Sequence, residues 1–221
     1  MEMFVSQFFN LEIMSQAWPL LLRGLGMTLL LCAAVIPLGL VGGLLIALVC
    51  RSQHRAIRWT AFALVDFFRA VPPLVLLIFI YAGLPFAGIR PSPFAAVCIA
   101  FFLNTGAYYG EIYRAGIDSI GRGQWEAARS TGLTGLQTLA HVIVPQAVRN
   151  VLPDLVSNTV EVVKLTSIAS VVALPELLYS ADMARSVTYN PSSLVMAAGL
   201  YLLLLWPCVR LLSRLEHRVA R

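Results

Sequence analysis

Arg122-Gly123-Gln124-Trp125-Glu126-Ala127-Ala128-Arg129-Ser130-Thr131-Gly132 is a polar island in an otherwise apolar chain, and its setting decides the fold. The stretch predicts a short surface helix that starts at a Gly123 cap, carries Glu126 near the positive end of the helix dipole and stops at Gly132. Thr134 and Gln137 stand at capping-box spacing, which predicts a second helix running until Pro145 ends it, because proline lacks an amide proton and clashes with the preceding turn. The segment reads as helix, turn, helix. Its full spacing is Glu126-Ala127-Ala128, three residues, Gly132, nine residues, Val142, one residue, then Val144-Pro145. Without that spacing it would be an ordinary solvated loop with two amphipathic helices.

The surroundings of the island are those of a membrane protein. The chain has 221 residues, of which 59% are hydrophobic and 12% charged, with mean hydropathy +0.80. A water-soluble globule carries about 25% charged residues. Spanning a hydrocarbon core of ~30 Å takes about 20 apolar residues as a helix. Five runs qualify, near 25–49, 62–84, 94–113, 150–178 and 193–212. Arg69 and Pro72-Pro73 interrupt the second, which predicts an interfacial helical approach followed by a kinked span. Gly39 and Gly43 in the first run stand at GxxxG spacing, read as ordinary close packing of helices. The first 22 residues hold Glu2 and Glu12 and no Lys or Arg, which does not make a secretory signal, so the N-terminus is expected to stay attached. Cys32, Cys50, Cys98 and Cys208 are scattered without CxxC spacing and read as packing residues, neither a zinc site nor a disulfide framework.

Basic residues sort the loops. Arg51, Arg55 and Arg58 follow the first run, Arg114, Arg122, Arg129 and Arg149 lie between the third and fourth, and Arg210, Arg214, Arg218 and Arg221 close the chain. The opposite loops hold Arg90 and Arg185. By the positive-inside rule the N-terminus is outside, the C-terminus is cytoplasmic, and the 114–149 loop with its polar island faces the cytoplasm. The net charge of +5 follows from this asymmetry and needs no nucleic-acid partner. The fold class expected is an all-α membrane protein of five transmembrane helices, one domain over 1–221.

The spacing of the island resembles the EAA loop of ABC importer permeases. Phe68-Arg69-Ala70-Val71-Pro72, Asn104-Thr105-Gly106-Ala107-Tyr108, Glu111-Ile112 and Lys164-Leu165-Thr166-Ser167 extend the likeness to polar amino-acid permeases of the histidine-permease branch, over nearly the whole chain. Two positions depart from the family, which usually has Arg-Gly-Thr-Pro at 69–72 and often an acidic residue at Leu165. The resemblance implies the membrane subunit of an ATP-driven importer in a bacterial inner membrane. Its implied partners are two ATPase subunits that hold ATP and Mg, a second permease or a copy of this chain, and an extracytoplasmic substrate-binding protein. Glu126, Ala127, Ala128, Gly132 and Pro145 are then the residues that couple to the ATPase. The residues themselves agree in one respect: no GxxxxGK[ST] phosphate loop is present, and the only lysine, Lys164, lies inside the fourth apolar run.

Charges inside membrane spans are costly and therefore functional candidates. Glu161 and Lys164 are three residues apart, which leaves two readings open: a mutual salt bridge that holds the bundle, or a cavity in which Glu161 meets a substrate ammonium or guanidinium and Asn158 adds a neutral hydrogen bond. Asn104 and Tyr108, one turn apart, either line the same cavity or satisfy neighbouring backbone. Glu111 is expected to pair with Arg114, and Arg69 to position the kink or meet lipid phosphate. The cargo expected is a polar or cationic amino acid, with an opine or a compatible solute such as ectoine as the alternative. A passive channel has no use for the island. An intramembrane enzyme would need a catalytic constellation, yet His54, His141 and His217 all lie in cytoplasmic segments, and HExxH, GxSxG and paired membrane aspartates are missing from the sequence. No catalytic or metal site is expected.

Overall fold

The computed structural model describes residues 2–219. Arg221, counted with the C-terminal basic residues, lies outside them, as do the side chains of Arg214, His217 and Arg218. All regular structure among the described residues is helical. In chain order the α-helices are α1 (Glu2–Phe8), α2 (Leu11–Val49), α3 (Arg55–Ala70), α4 (Pro73–Ile78), α5 (Pro93–Asp118), α6 (Arg122–Ser130), α7 (Gly135–Thr138), α8 (Val144–Asn150), α9 (Leu152–Leu165), α10 (Leu177–Thr188) and α11 (Ser192–Val219). Tighter 3₁₀ turns follow at Leu84–Ala87 and Thr166–Val172, and wider π turns occupy Phe79–Gly83 and Leu139–Ile143.

Local chemistry corrects several expected boundaries. α2 starts at Leu11 rather than near 25, because Asn10 Oδ1 accepts from the amides of Glu12 and Ile13 at 3.1 and 3.2 Å and so caps a longer helix. The fourth span stops at Val172 rather than 178, where Ala173 turns left-handed at φ 55°. α3 stops where expected: Val71, held extended by the proline that follows, breaks the chain before Pro73. Pro145 does not end its helix. The π turn at Leu139–Ile143 widens the backbone ahead of the proline, and α8 carries Pro145 in its first turn, where no amide proton is needed.

Among the described residues three helical stretches are long and apolar enough to cross a membrane: Ser6–Val49, Leu152–Val172 and Ser192–Arg210. The broken pair Arg55–Ala70 and Pro73–Ala87 makes a fourth if it is one span. The third run, 94–113, corresponds to α5, whose 26 residues extend about 39 Å at 1.5 Å per residue. Asn104, Thr105, Tyr108, Tyr109, Glu111 and Arg114 dilute its apolarity.

The chain packs as two compact units. One comprises Met1–Ile36, Pro73–Phe101 and Val160–Arg210, the other Pro37–Pro72, Phe102–Thr159 and Leu211–Arg221. In the first, Leu21 of α2 packs with Leu177, Ala181 and Ala184 of α10 and Ala197 of α11. Asn190 ties the turn between α10 and α11 to α1 by donating to the Ser6 carbonyl at 3.1 Å.

In the second unit the core forms where small residues let helices touch. A Cβ on Gly43 would sit 2.5 Å from Tyr109 Cβ and 2.8 Å from the Gly110 amide, so only glycine admits α5 this close to α2. The GxxxG spacing therefore serves packing within the chain. Tyr109 is fully buried, and its hydroxyl shares a 2.7 Å hydrogen bond with Thr159 of α9.

Candidate functional site

The polar island forms α6, followed by a turn and α7, as its residues dictate. The N-cap is Gly121 rather than Gly123, which falls inside the first turn. Trp125 and Ala128, three residues apart, face inward. Trp125 packs with Ile117, Ile143 and Ala147, and Ala128 is 6% exposed. Gln124, Glu126, Ala127 and Ser130 stay exposed. Of the two alanines, Ala127 is thus free on the surface while Ala128 is small because it is packed. Gly132 has φ +86° with open space around it, so its glycine answers to backbone conformation and not to crowding. Both capping-box bonds are present: the Gln137 amide donates to Thr134 Oγ1 at 3.3 Å, and the Thr134 amide donates to Gln137 Oε1 at 2.9 Å. Pro145 and Leu136 are exposed, Leu136 by 77%.

The second unit also gathers polar side chains where α3 breaks. A helix end leaves its last carbonyls without partners. Asn104 Nδ2 donates to the Phe68 carbonyl at 3.0 Å, and the Tyr108 hydroxyl donates to the Arg69 carbonyl at 3.3 Å. Of the two expected roles these bonds are the backbone one, and Asn104, 4% exposed, has no open polar surface. Tyr108 keeps 37% exposure, and the Arg69 guanidinium stacks 5.4 Å from its ring centroid. Arg69 Nε is buried without a hydrogen-bond partner, leaving a donor able to meet a carboxylate. Asn158 Nδ2 is likewise buried with no hydrogen bond of ordinary geometry. Glu111 and Arg114 form the expected ion pair, and Arg114 also reaches Asp118 at 2.9 Å.

In the first unit Glu161 and Lys164 pair on α9, the contact their i,i+3 spacing allows, yet the two side chains remain 65% and 49% exposed. The unit holds a further acid that sequence reasoning missed. Glu176 is fully buried at the start of α10, and its carboxylate accepts from the Leu178 and Tyr179 amides at 2.8 and 2.7 Å and from the Tyr201 hydroxyl at 2.9 Å. Burial pushes its carboxyl above the usual range while these bonds pull the other way. Thr28 Oγ1 accepts from the adjoining Leu177 amide at 3.1 Å. The available signal was Leu174-Pro175-Glu176: an acid directly after a proline in an apolar stretch, at a position that caps a following helix. Among the described residues no His, Cys, Asp or Glu cluster is arranged to hold a metal ion.

Residues 39–221 match the family described as binding-protein-dependent transport system inner membrane component. The chain is 40% identical over 175 residues to a probable amino-acid ABC transporter permease, YckA, of Bacillus subtilis (strain 168), covering 79% of this chain and 77% of that one. It is 34% identical over 213 residues to a probable glutamine ABC transporter permease, GlnM, of the same organism, covering 96% and 99%. A crystal structure of an amino acid ABC transporter with histidines superposes with TM-score 0.84 at 37% identity, over 93% of this chain and 96% of that one. The inward-facing MetNI methionine ABC transporter shares the fold, with TM-score 0.76 at 21% identity over 91% of this chain and 97% of that one. The chain belongs to the binding-protein-dependent transport system inner membrane component family, the multi-pass permease subunits of ABC importers, whose ATPase and substrate-binding proteins are separate chains.

Proposed function

We propose that the chain forms the translocation path of an ATP-driven amino-acid importer in a bacterial inner membrane. It spans five times as a single domain over 1–221, with α5 as the third span, the N-terminus outside and the C-terminus cytoplasmic. Basic residues at 51–58, 114–149 and the C-terminus support this orientation. It pairs with a second permease or a copy of itself, with two ATPase subunits that bind ATP and Mg, and with an extracytoplasmic binding protein.

The carrying observation is the exposed Glu161–Lys164 pair in an apolar helix. Charges at membrane depth face water or another protein, because lipid cannot solvate them. A pair this exposed on the isolated chain calls for a polar cavity or an adjoining subunit, and a translocation path between two permeases supplies both. The candidates for lining that path are Glu161 and Lys164 of the first unit and, taken separately, Asn158 and Tyr108 of the second, where Asn104 fixes the backbone beneath Arg69. The cargo is a polar or cationic amino acid, in keeping with the relatives' names; ectoine or an opine would use the same architecture.

Coupling falls to α6 and its turn, where Glu126, Ala127 and exposed Leu136 meet the ATPase. Ala128, Gly132 and Pro145 shape the backbone that presents them. The test is uptake of labelled arginine, histidine, glutamine and ectoine by the intact system with Glu161→Gln. Loss of one charge-assisted hydrogen bond should cut cationic uptake about tenfold at normal expression. Full uptake would make the pair structural, and uptake of ectoine alone would replace the amino-acid reading.

A further inference from the structure

Helices α2, α3 and α5 of the second unit enclose two adjoining depressions. The first, about 270 Å³, is apolar and is lined by residues that include Leu45, Val49, Leu64, Val65, Phe68 and Phe102. The second, about 250 Å³, is lined by Cys50, Arg51, Arg58, Phe62, Arg114 and Asp118. The register of the chain places them side by side: Val49 ends α2 and leads directly to Cys50 and Arg51 in the turn that follows, and Val65 stands one turn from Phe62 and two from Arg58 on α3.

The second depression holds one arginine without an ion pair. Arg51 is bound to Asp118 at 2.6 Å, and Arg114 is bound to Asp118 and Glu111. Arg58, half-buried on the same rim, has no ion pair among the described residues. Asp66, the one acid of α3, lies two turns along the helix from Arg58, close enough to act electrostatically on Cys50, yet forms no ion pair with Arg58. The outer face of α3 is apolar and open, with Ile57, Trp59, Leu64 and Phe67 exposed by 49, 67, 51 and 56%. An amphipathic helix with exposed tryptophan and flanking arginines has the composition of a helix at a bilayer surface.

The geometry points to an anionic phospholipid as the ligand of this double depression, with its phosphate on Arg58 beside Arg51 and an acyl chain in the apolar cleft. One guanidinium without an ion pair next to an apolar cleft matches one phosphodiester next to a hydrocarbon chain. The site rests on the membrane orientation proposed above, which puts residues 51–58 at the cytoplasmic leaflet, where anionic lipids attract basic residues.

The assembled transporter, purified with its ATPase from nanodiscs holding equal phosphatidylglycerol and phosphatidylcholine, is analysed by native mass spectrometry for retained lipid. Wild type should retain phosphatidylglycerol preferentially. Arg58→Gln should reduce that preference about fivefold, Arg58→Lys should keep it, and Leu64→Trp should lower retention of both lipids by filling the cleft. An unchanged ratio in Arg58→Gln would overturn the site, and so would its loss in Arg58→Lys, which would assign the effect to the fold. Disulfide cross-linking of a Leu64→Cys variant to a second permease would place protein there instead of lipid and overturn it too. Amino-acid uptake by the same wild-type complex separates the two proposals: uptake without lipid preference removes the lipid site alone, whereas absence of ATP-dependent uptake removes the transport reading.

Discussion

The polar segment at 122–150 and the turn at 166–177 are both places where helices stop and restart, yet the first completes its caps on an exposed surface and the second around a buried acid. The first is written in exposed polar residues: Thr134 and Gln137 cap each other, and Gly132 turns the chain with nothing near it. The second is written mostly in apolar residues, and its one acid, Glu176, is fully buried and satisfied by the Leu178 and Tyr179 amides and the Tyr201 hydroxyl, while the neighbouring Leu177 amide donates to Thr28. A turn in water can be left to solvent where a cap is missing. A turn in a dry interior has to complete every hydrogen bond from within the fold.

That contrast predicts a graded series of effects. The largest belongs to Glu176→Leu, which strips a cap from two amides and removes the carboxylate to which the half-buried Tyr201 hydroxyl donates. It should cost about 3 kcal/mol, seen as a lowered thermal midpoint and poor recovery from detergent. Wild-type stability in this variant would erase the distinction between the two turns.

Next comes a pair of neighbours. Ala128→Trp overpacks a buried site and should cost about 2 kcal/mol of stability, whereas Ala127→Trp on the exposed face should leave thermal unfolding unchanged. On the proposed function, Ala127→Trp should instead block substrate-stimulated ATP hydrolysis. Equal destabilisation by both would mean that the face assignment of α6 is wrong.

Gly132→Asp forces a side chain into a left-handed backbone and should cost about 1 kcal/mol locally, with normal membrane insertion. Its functional readout is loss of substrate-stimulated hydrolysis by the assembled complex, and unchanged stimulation would remove the docking claim. Gly132→Asn, which tolerates this conformation better, should retain more of the stimulation. The smallest effect is Thr134→Ala, about 0.5–1 kcal/mol because water replaces part of an exposed cap. Hydrogen exchange at the Gln137 amide would report it, and a loss as large as that of Glu176→Leu would contradict the comparison.

Much of the exposed segment was legible in sequence, because capping and turn chemistry act between residues a few positions apart. The capping box and the turn at Gly132 needed only local spacing. The expected stop at Pro145 failed for an equally local reason: a π turn ahead of the proline relieves the clash that would otherwise end the helix. The start of α2 at Leu11 depended on Asn10, a cap outside the apolar run used to find the span. Glu161 and Lys164 met as their spacing allowed, but their exposure could not be read from a one-dimensional pattern.

The sequence by itself determined an all-helical chain rich enough in apolar residues for a membrane, a basic asymmetry along its loops, and a polar helix-turn-helix of recognisable spacing. Those properties depend on composition and on neighbours within one or two turns. Tertiary structure alone decided that Ala128 faces inward while Ala127 does not, that Asn104 and Tyr108 serve the broken end of α3, and that Glu176 is a buried cap rather than a surface charge. The reason is physical: a polar group's role inside a dry interior is set by which distant donors and acceptors folding brings to it, and Glu176 meets Tyr201 across 25 residues of chain.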